Sequence, residues 1–446
     1  MGEIIPRAAP SQNGGVHSGV LSWRKVACVL RRAIRPGVWL LQPLVISVVV
    51  QRATGCSSPW GLTRCNINTG IGIGGAATLL ETFLLRNTMK PLALAVLVLF
   101  LLAAACGICV AGYGASSTRN EILQLALPQK LFVKENQGLC PERDFKVEHG
   151  GFSDTPIDCL KHVSGTRTLV SSGPSDNTLH IWQIGDEDSD VIRRAGVIEP
   201  EVRVKAGSRV ASGVSRTPCV LHASRIKDLQ ITELELRRVL YSVAADCADR
   251  VSGLEFLTAD VFLVCADSGD LWLCDVRDPA GPRPTATPEG QGPRWCMGVK
   301  KGHSHVEAAS STVAQLSSSC QVLVTDLRSP KSPLYQAKLN IHHDSPSADL
   351  MAVTWAPALD DCLAVSGFDG AVRVYETKAW SPNAAEAEPL FVHKGHSLSH
   401  GPESGRGAAV VTTHVWHPWK PRTVLSAATN GSLHVWDWVD NQARGR

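Results

Sequence analysis

Apolar and polar positions repeat along the chain from about residue 107 onward. Each unit has an apolar run, a few small residues, a tight polar turn, and an alternating run that ends in an aromatic residue or Asp. In one copy, Val372 and Val374 alternate with Arg373 and Tyr375. Alternation at a period of two turns one face of a strand toward a core. The clearest copies are residues 170–184, 263–278, 364–376 and 425–439, and weaker copies are residues 109–125 and 314–329.

The spacing of these units indicates the fold class. Comparable end positions are Trp182, Asp275, Asp326, Tyr375 and Trp436, which are 93, 51, 49 and 61 residues apart. The first interval holds two units, and the others fit a period of about 40–45 residues with loop insertions, which is the period of propeller blades. We therefore predict an all-β fold, a WD-repeat β-propeller over residues 107–446. Counting the units gives seven blades, with six as the alternative.

Short motifs within the units fit the same fold. The turns that begin at Asp267, Asp369 and Asn430 contain residues that tolerate positive φ, as tight hairpin turns require. Gly-His dipeptides match the opening of a WD blade, and a Trp-Asp dipeptide matches its end; their recurrence in order is specific. The residues assigned to this structural signature are Trp182, Asp267, Asp275, Gly302, His303, Asp326, Asp369, Gly370, Gly395, His396, Asn430, Gly431, Trp436 and Asp437.

Charge and cysteine usage narrow the class of function. The net charge is +3, but residues 1–108 hold ten Lys and Arg against two acids, so the remainder carries 34 basic and 39 acidic side chains. A mildly acidic body argues against direct binding of nucleic acid, because phosphates attract clustered positive charge. The 14 cysteines are scattered, and the C-x-x-C from Cys106 to Cys109 has no second pair or nearby His to complete a zinc site.

Motifs of catalysis and cofactor binding are not recognisable in the chain. It contains no G-x-S-x-G, no H-E-x-x-H and no G-x-x-x-x-G-K-S/T sequence. Gly70, Gly72 and Gly75 spell G-x-G-x-x-G, but a poor strand precedes them and no acid follows about 20 positions on. We predict no enzyme activity, no cofactor and no metal, and a surface that binds other proteins through loops held by rigid strands.

Residues 1–106 follow no repeat and are predicted to be an N-terminal extension of doubtful structure. The apolar run from Leu92 to Ala111 has 20 residues without a charge. Hydropathy alone predicts a transmembrane helix there, with Arg86 and Lys90 on the cytoplasmic side, yet the run overlaps a predicted propeller strand. Three interpretations stay open: an erroneous gene model, a membrane anchor, and a soluble or targeting extension. A membrane partner is expected only if the run is a genuine span.

Four blocks of sequence resemble the vertebrate family of WD repeat-containing protein 73. They are KENQGLCPERDFKVEHGGFSD at 134–154, EDSDVI at 187–192, WAPALDDCLAVSGFDGAVRVYE at 355–376 and TTHVWHPWKPRTVLSAATNGSLHVWDWVD at 412–440, and the resemblance covers about residues 107–440. It implies a seven-bladed propeller without enzyme activity, mainly cytoplasmic. It also implies association with spindle poles and microtubule-associated proteins, and a role in assembling the RNA endonuclease module of the Integrator complex by holding endonuclease subunits.

The chain departs from this family at its start. The family begins with a segment that supplies the strand closing the ring and the first strand of the first blade, and residues 1–106 stand in its place here. We expect either that the apolar run at 92–104 acts as a strand, or that the last blade lacks its closing strand. A blade without that strand has open sheet edges, which favour misassociation.

The segment PERDFKV at 141–147 combines charges with an aromatic residue in a way that the repeat does not explain. Its residues Arg143, Asp144, Phe145 and Lys146 are the candidate partner-binding residues. Covering the edge of a blade is the alternative role.

A second candidate function is that of a substrate receptor of a cullin-type ubiquitin ligase. Asp275 is followed two positions later by Arg277, and Asp326 by Arg328. This resembles the W-D-x-R ending of such receptors, although the aromatic residue before Asp is missing in both copies.

Overall fold

The computed structural model describes residues 17–21, 46–50, 52–54, 92–102, 105–114, 119–131, 142, 144–186, 188–213, 217–243, 245–278, 283–286, 293–300, 311–330, 332–341, 349–383, 385–399 and 409–439. In this part of the chain the regular structure is β-strand, apart from short 3-10 turns at Ile226–Asp228, Thr377–Ala379 and Gly395–Ser399. The prediction of an all-β fold is confirmed.

Seven sheets of at least four strands form the blades of a propeller, which confirms seven blades and excludes six. Blade 1 has β4 (Leu92–Leu102), β5 (Ala105–Gly114), β6 (Asn120–Ala126) and β7 (Lys146–Ser153); blade 2 has β8 (Cys159–His162), β9 (Thr168–Ser172), β10 (Leu179–Ile184) and β11 (Ile192–Ile198); blade 3 has β12 (Arg209–Gly213), β13 (Cys219–Ala223), β14 (Gln230–Glu233) and β15 (Val239–Ser242). Blade 4 has β16 (Val251–Phe256), β17 (Val261–Ala266), β18 (Leu271–Asp275) and β19 (Arg283–Ala286); blade 5 has β20 (Trp295–Lys300), β21 (Thr312–Ser317), β22 (Gln321–Asp326) and β23 (Tyr335–Leu339), with β27 (Ala385–Ala387) added in parallel at its edge. Blade 6 has β24 (Ala352–Trp355), β25 (Cys362–Ser366), β26 (Val372–Glu376) and β28 (Phe391–His393), and blade 7 has β29 (Val411–Trp416), β30 (Thr423–Ala428), β31 (Leu433–Val439) and β3 (Arg52–Thr54). A separate hairpin pairs β1 (His17–Leu21) with β2 (Ile46–Val50).

The first strands of the blades form the inner wall of the ring. Each of them contacts the first strand of the next blade, and β29 of blade 7 contacts β4 of blade 1, which closes the ring. The first three strands of each blade are antiparallel to their neighbours, so the first hairpin of each blade begins and ends at the same end of the channel.

The alternating residues of β26 pack against two neighbouring blades, one on each face of the strand. Val372 and Val374 are buried in a cluster with Trp436 of blade 7. Tyr375 is equally buried, but in a cluster with residues of blade 5. Both faces of the strand therefore pack, because each blade of the ring has a neighbouring blade on either side. Each fully buried side chain of this kind stabilises the fold by about 1.5–3 kcal/mol.

The predicted hairpin turns are present, but one of them uses a different glycine for its positive φ. Gly269 and Gly431 have φ of 94° and 79°, in the turns that begin at Asp267 and Asn430. In the third turn the positive φ of 99° belongs to Gly367, and not to Gly370. Gly370 is needed for space instead, because a Cβ there would lie 2.5 Å from Ser397 Oγ.

The N-terminal region contributes two strands to the propeller. The apolar run is not a helix: Leu92–Leu102 and Ala105–Gly114 form antiparallel strands of blade 1, so the predicted boundary at residue 107 lies inside a strand. Of the two alternatives expected for this region, the first is confirmed, because the apolar run acts as a strand. Blade 7 does not lack a fourth strand, since Arg52–Thr54 pairs in parallel with β31. Among the described residues, no helix has the length and apolar character needed to cross a membrane.

Candidate functional site at the mouth of the channel

The channel that runs through the ring is lined by first strands. Its volume is about 900 Å³, and its walls include residues of β8, β12, β16, β20, β24 and β29. The end at which these strands begin also carries the turns between the second and third strands, because the strands alternate in direction. Loops from several blades are thereby placed side by side on a rigid frame.

Six charged residues gather at that end, and we call them the channel mouth. They are Asp158, Arg209, Arg250, Asp267, Arg294 and Asp349. Most of them lie at or just before the first residue of a first strand, and Asp267 lies in the turn after β17. The chain positions them through backbone contacts: the N–H of Trp295 donates to the carbonyl of Asp267 at 3.0 Å, and the N–H of Ser318 donates to the carbonyl of Arg294 at 2.8 Å.

Ion pairs join the channel mouth across three blades. Asp349, which precedes blade 6, lies 3.1 Å from an Nη atom of Arg250 and 3.0 Å from an Nη atom of Arg294. Arg294, at the start of blade 5, also reaches Asp267 of blade 4 at 3.4 Å. Because each guanidinium has several donors in a fixed plane, these contacts hold the side chains in defined positions.

Partial burial changes the titration of the carboxylates at the mouth. Desolvation raises the pKa of Asp158, and Arg209 and Arg250 oppose this rise. Desolvation also raises the pKa of Asp267, and Arg294 opposes it most strongly. One oxygen of Asp158 is buried without a hydrogen-bond partner. The mouth therefore presents guanidinium donors that ion pairs hold in place before any partner binds.

Several signature residues meet in one buried hydrogen-bond chain in blade 7. The indole N–H of Trp436 donates to Ser426 Oγ at 3.2 Å, and this hydroxyl lies 2.8 Å from Nε2 of His396. Nδ1 of His396 lies 2.6 Å from Ser432 Oγ, which donates to Asn430 Oδ1 at 2.6 Å. The chain ties the loop before blade 7 to the second and third strands of that blade.

Trp182 makes a shorter version of this contact in blade 2. Its indole N–H donates to Ser171 Oγ on the neighbouring strand at 2.8 Å. The indole ring is therefore buried with its N–H hydrogen-bonded, as buried Trp side chains usually are.

Three buried histidines lie together beside the chain in blade 7, and they could hold a metal only if their nitrogens converged. The possible ligand atoms of His393, His396 and His434 lie within 4.8 Å of one another. The rings of His396 and His434 are stacked at 3.8 Å with an angle of 6° between their planes. In-plane lone pairs of two parallel rings cannot meet at one ion about 2.0–2.1 Å from each nitrogen. The geometry supports a stacked, hydrogen-bonded cluster, with Nε2 of His393 at 3.0 Å from Nδ1 of His434.

Burial keeps these three histidines neutral. It is the largest cause of the lowered pKa of His393 and His396, and it lowers the pKa of His434 to about 4. Nδ1 of His393 and Nε2 of His434 have no hydrogen-bond partner. Protonating any of the rings would place a charge in a desolvated site, which is costly.

The aspartates of the other blades pair with arginines of the same turn. Asp275 accepts two hydrogen bonds from Arg277, at 2.8 and 2.7 Å, which lowers the pKa of the carboxyl to about 2. Asp326 accepts hydrogen bonds from Arg328 in the same way, and these lower its pKa. Asp369 likewise accepts two hydrogen bonds from the guanidinium of Arg373 in β26, at 2.9 and 2.6 Å. These pairs shape single blades and do not join neighbouring ones.

The remaining signature residues have separate places. Asp437 accepts a hydrogen bond from the hydroxyl of Thr423. Gly395 begins the 3-10 turn that carries His396. Gly302 and His303 lie outside the described residues.

The segment proposed for partner binding is split between core and surface. Phe145 is 1% exposed and packs with Leu425 and Leu433 of blade 7, where the first and last blades meet. This supports the covering role for Phe145, whose side chain is not available to a partner. Asp144 is half-buried and Lys146 is exposed, whereas Arg143 lies outside the described residues.

Sequence reasoning did not single out the channel mouth or the partners of His396. The arginines of the mouth lie in loops of different length, so no fixed spacing relates them. A usable signal was present, because Arg294 and Arg209 stand directly at the start of apolar first strands. Ser426 could have been found as the small polar residue on the strand facing the Trp of the repeat.

Comparison with known proteins identifies the family. No protein-family profile matches the chain. The Integrator complex assembly factor WDR73 of Danio rerio is 49% identical over 333 residues, which are 75% of this chain and 88% of the relative. The proteins of the same name from Mus musculus and Homo sapiens are 44% and 43% identical, over 90% and 89% of their lengths.

The chain belongs to the WDR73 family. This confirms the resemblance found in the sequence blocks. The match covers 88% and 90% of the length of the Danio rerio and Mus musculus relatives. The similarity therefore extends over nearly all of each relative and not over one segment of it.

Proposed function

We propose that this chain is a non-catalytic assembly factor for the Integrator complex, which holds RNA endonuclease subunits before they enter the complete complex. The observation that carries the proposal is 43–49% identity to four proteins named Integrator complex assembly factor over most of their length. An assembly factor needs a rigid surface that binds reversibly, and a seven-bladed ring with loops fixed by inner strands supplies one.

The channel mouth is the surface that we assign to this binding. Its side chains are already held by cross-blade ion pairs, so little conformational entropy is lost when they contact a partner. Arginine is enriched at binding hot spots, and Arg250 and Arg294 are each partly exposed while anchored to Asp349. Complementary charge on the partner would add to the rate of association.

Quantitative affinity purification of the tagged full-length chain tests the proposal. Integrator endonuclease subunits should be recovered with the unmodified protein and fall by at least about tenfold with Arg250→Ala/Arg294→Ala, a loss of about 1.4 kcal/mol or more. The matched control Arg277→Ala/Arg328→Ala removes two arginines that pair with aspartates on the outer part of the ring. Thermal melts of both variants should show that each remains folded. Equal recovery with both variants would remove the mouth from the proposal, and absence of Integrator subunits with the unmodified protein would refute the assembly role.

The same experiment tests the ubiquitin-ligase alternative. A cullin adaptor that is recovered with the unmodified chain and lost with Arg277→Ala/Arg328→Ala would favour a substrate-receptor function. Failure to recover any adaptor would reject it.

We further propose a mainly cytoplasmic location with association at spindle poles, on the basis of the family resemblance. Imaging of the tagged full-length chain through mitosis tests this. Signal that never concentrates at the poles would contradict the cytoskeletal part and leave the assembly role untouched.

A further inference from the structure

The rim of blade 3 carries a concentrated patch of exposed apolar side chains. Six large hydrophobic side chains are exposed in the described part of the chain, and three of them lie in one stretch of five residues. Leu236 is 71% exposed, and Val239 and Leu240 are each 44% exposed. Single exposed apolar residues are ordinary, but a cluster of them on a folded surface marks an interaction site more often than chance placement.

The backbone of this stretch turns the apolar side chains outward. Val239 pairs with Thr232 and Tyr241 pairs with Ile231, so Leu240 is the extra residue of a bulge in the outer strand. A bulge re-aims side chains that would otherwise alternate between the two faces of the sheet. It also interrupts the hydrogen-bonding edge, which disfavours the addition of another strand and leaves side chains as the means of contact.

Arginines surround the apolar residues. Arg237 and Arg238 precede β15, and the guanidinium of Arg237 donates to the carbonyl of Ala195 in β11 at 3.3 Å. This contact brings the hairpin against the outer strand of blade 2, where Arg193 and Arg194 are exposed. The acids in the hairpin are Glu233 and Glu235, and Glu233 is already 3.5 Å from Arg238.

The tip of the hairpin is held in a strained conformation. Arg237 has φ of 53°, a left-handed backbone conformation that L-residues other than Asn, Asp and Gly rarely adopt. Its side chain is also hydrogen-bonded across to blade 2, through the carbonyl of Ala195. Such strain persists where surrounding contacts fix it, and it is concentrated at binding and switching sites.

We propose that Leu236, Val239 and Leu240, with the arginines of β11 and the β14–β15 hairpin, form a docking surface for an acidic segment of a partner protein that carries apolar side chains. Charge complementarity selects this occupant, because β11 and the β14–β15 hairpin carry four arginines and two glutamates, one of which is paired with Arg238. The apolar side chains supply affinity, and the arginines supply orientation and selectivity. The surface lies on the outer rim, away from the channel mouth, and it does not depend on the assembly role proposed above.

Fluorescence anisotropy with synthetic peptides tests this proposal on the full-length protein. The probe is a labelled peptide built from glutamate and leucine, and the controls replace glutamate by lysine or leucine by serine. The glutamate–leucine peptide should bind at least about tenfold more tightly than either control, because both contributions are needed. Leu236→Asp should weaken binding of that peptide by a similar factor, and the matched variant Leu334→Asp, at an exposed leucine before β23, should not change it.

A charge-reversal variant provides a second test of the role of the arginines. In Arg193→Glu/Arg194→Glu the lysine–leucine peptide should gain affinity and the glutamate–leucine peptide should lose it. Equal binding of the acidic and basic peptides, an equal effect of Leu236→Asp and Leu334→Asp, or absence of binding would overturn the proposal. So would loss of binding on N-methylation of the peptide backbone, which would indicate strand addition, or sedimentation showing self-association that Leu236→Asp abolishes, which would indicate a second copy as the occupant.

Discussion

Blades 5 and 7 both carry an aspartate near the end of the third strand, but the surroundings differ. In blade 7 the preceding residue is Trp436, whose indole starts a buried hydrogen-bond chain through Ser426 to His396. In blade 5 the preceding residue is Thr325, and Asp326 binds Arg328, a largely exposed side chain two residues away. The arrangement in blade 7 links the blade to the loop that precedes it, whereas the arrangement in blade 5 shapes a single turn.

The difference has an energetic consequence. A buried polar group that loses its partner costs about 1–3 kcal/mol, because water cannot replace the partner. An exposed ion pair contributes about 0–1 kcal/mol, since solvent screens it and both side chains lose freedom. The stability of the ring should therefore depend strongly on the blade 7 chain and weakly on the blade 5 pair.

Trp436→Ala should have the largest effect. The side chain is fully buried, and it stacks on His393 with ring centroids 4.5 Å apart. Its removal leaves a cavity and takes away one of the two partners of Ser426 Oγ, so urea unfolding should show a loss of about 3–5 kcal/mol. Trp419→Ala is the matched control, because Trp419 is 61% exposed, and it should cost less than about 0.5 kcal/mol. Similar losses in both variants would contradict the importance of the buried chain.

Acid should lower the stability of the fold in part through the histidines of the blade 7 cluster. Folding lowers the pKa of His434 from 6.5 to about 4, so between these values the unfolded chain binds a proton that the folded chain does not. The stabilising effect is complete above pH 6.5 and is lost as the pH falls toward 4, by about 1.4 kcal/mol per pH unit for each such histidine. Urea unfolding at pH 7.5 and 5.5 should show this slope, and His434→Gln should reduce it. An unchanged slope in the variant would reject the assignment.

Ser426→Ala tests the middle of the hydrogen-bond chain. The hydroxyl is buried and serves both Trp436 and His396. Removing it leaves both without that partner, so unfolding should require about 1–3 kcal/mol less free energy. Ser268, an exposed serine in the turn after the second strand of blade 4, is the control, and Ser268→Ala should cost less than about 0.5 kcal/mol. Equal stability of the Ser426 variant and the unmodified protein would show that His396 and Trp436 are satisfied in another way.

The sequence predicted those parts of the structure that depend on local pattern. The repeat, the turns and the number of blades could be read because strand alternation and turn residues are encoded within about 15 neighbouring positions. The pairing of His396 with Ser426 could not, because 30 residues separate them and only the assembled blade brings them together. The closing strand, Arg52–Thr54, was also invisible, since three residues have no periodicity to detect.

Two details that the local sequence did not decide have the same origin. Phe145 was a candidate for partner binding, with covering the edge of a blade as the alternative, and the structure buries it against blade 7. The turn with Asp369 and Gly370 was expected to hold a residue that tolerates positive φ, and the residue that adopts it is Gly367. Both were decided by contacts with a neighbouring blade or by the path of the backbone through the turn, which nearest neighbours in sequence do not specify.

The Asp326–Arg328 pair should have the smallest effect on the free energy of unfolding, and it tests the comparison at the exposed pair of blade 5. Its hydrogen bonds from Nε to the two carboxylate oxygens have ordinary lengths of 3.1 and 3.0 Å, and the arginine side chain is 69% exposed. A double-mutant cycle with Asp326→Ala and Arg328→Ala should therefore give a coupling energy below about 1 kcal/mol, and it should fall further in concentrated salt. A larger coupling that salt does not weaken would mean that the blade 5 pair behaves like a buried one. In that case the distinction between the two blades would lie in residue identity and not in exposure to solvent.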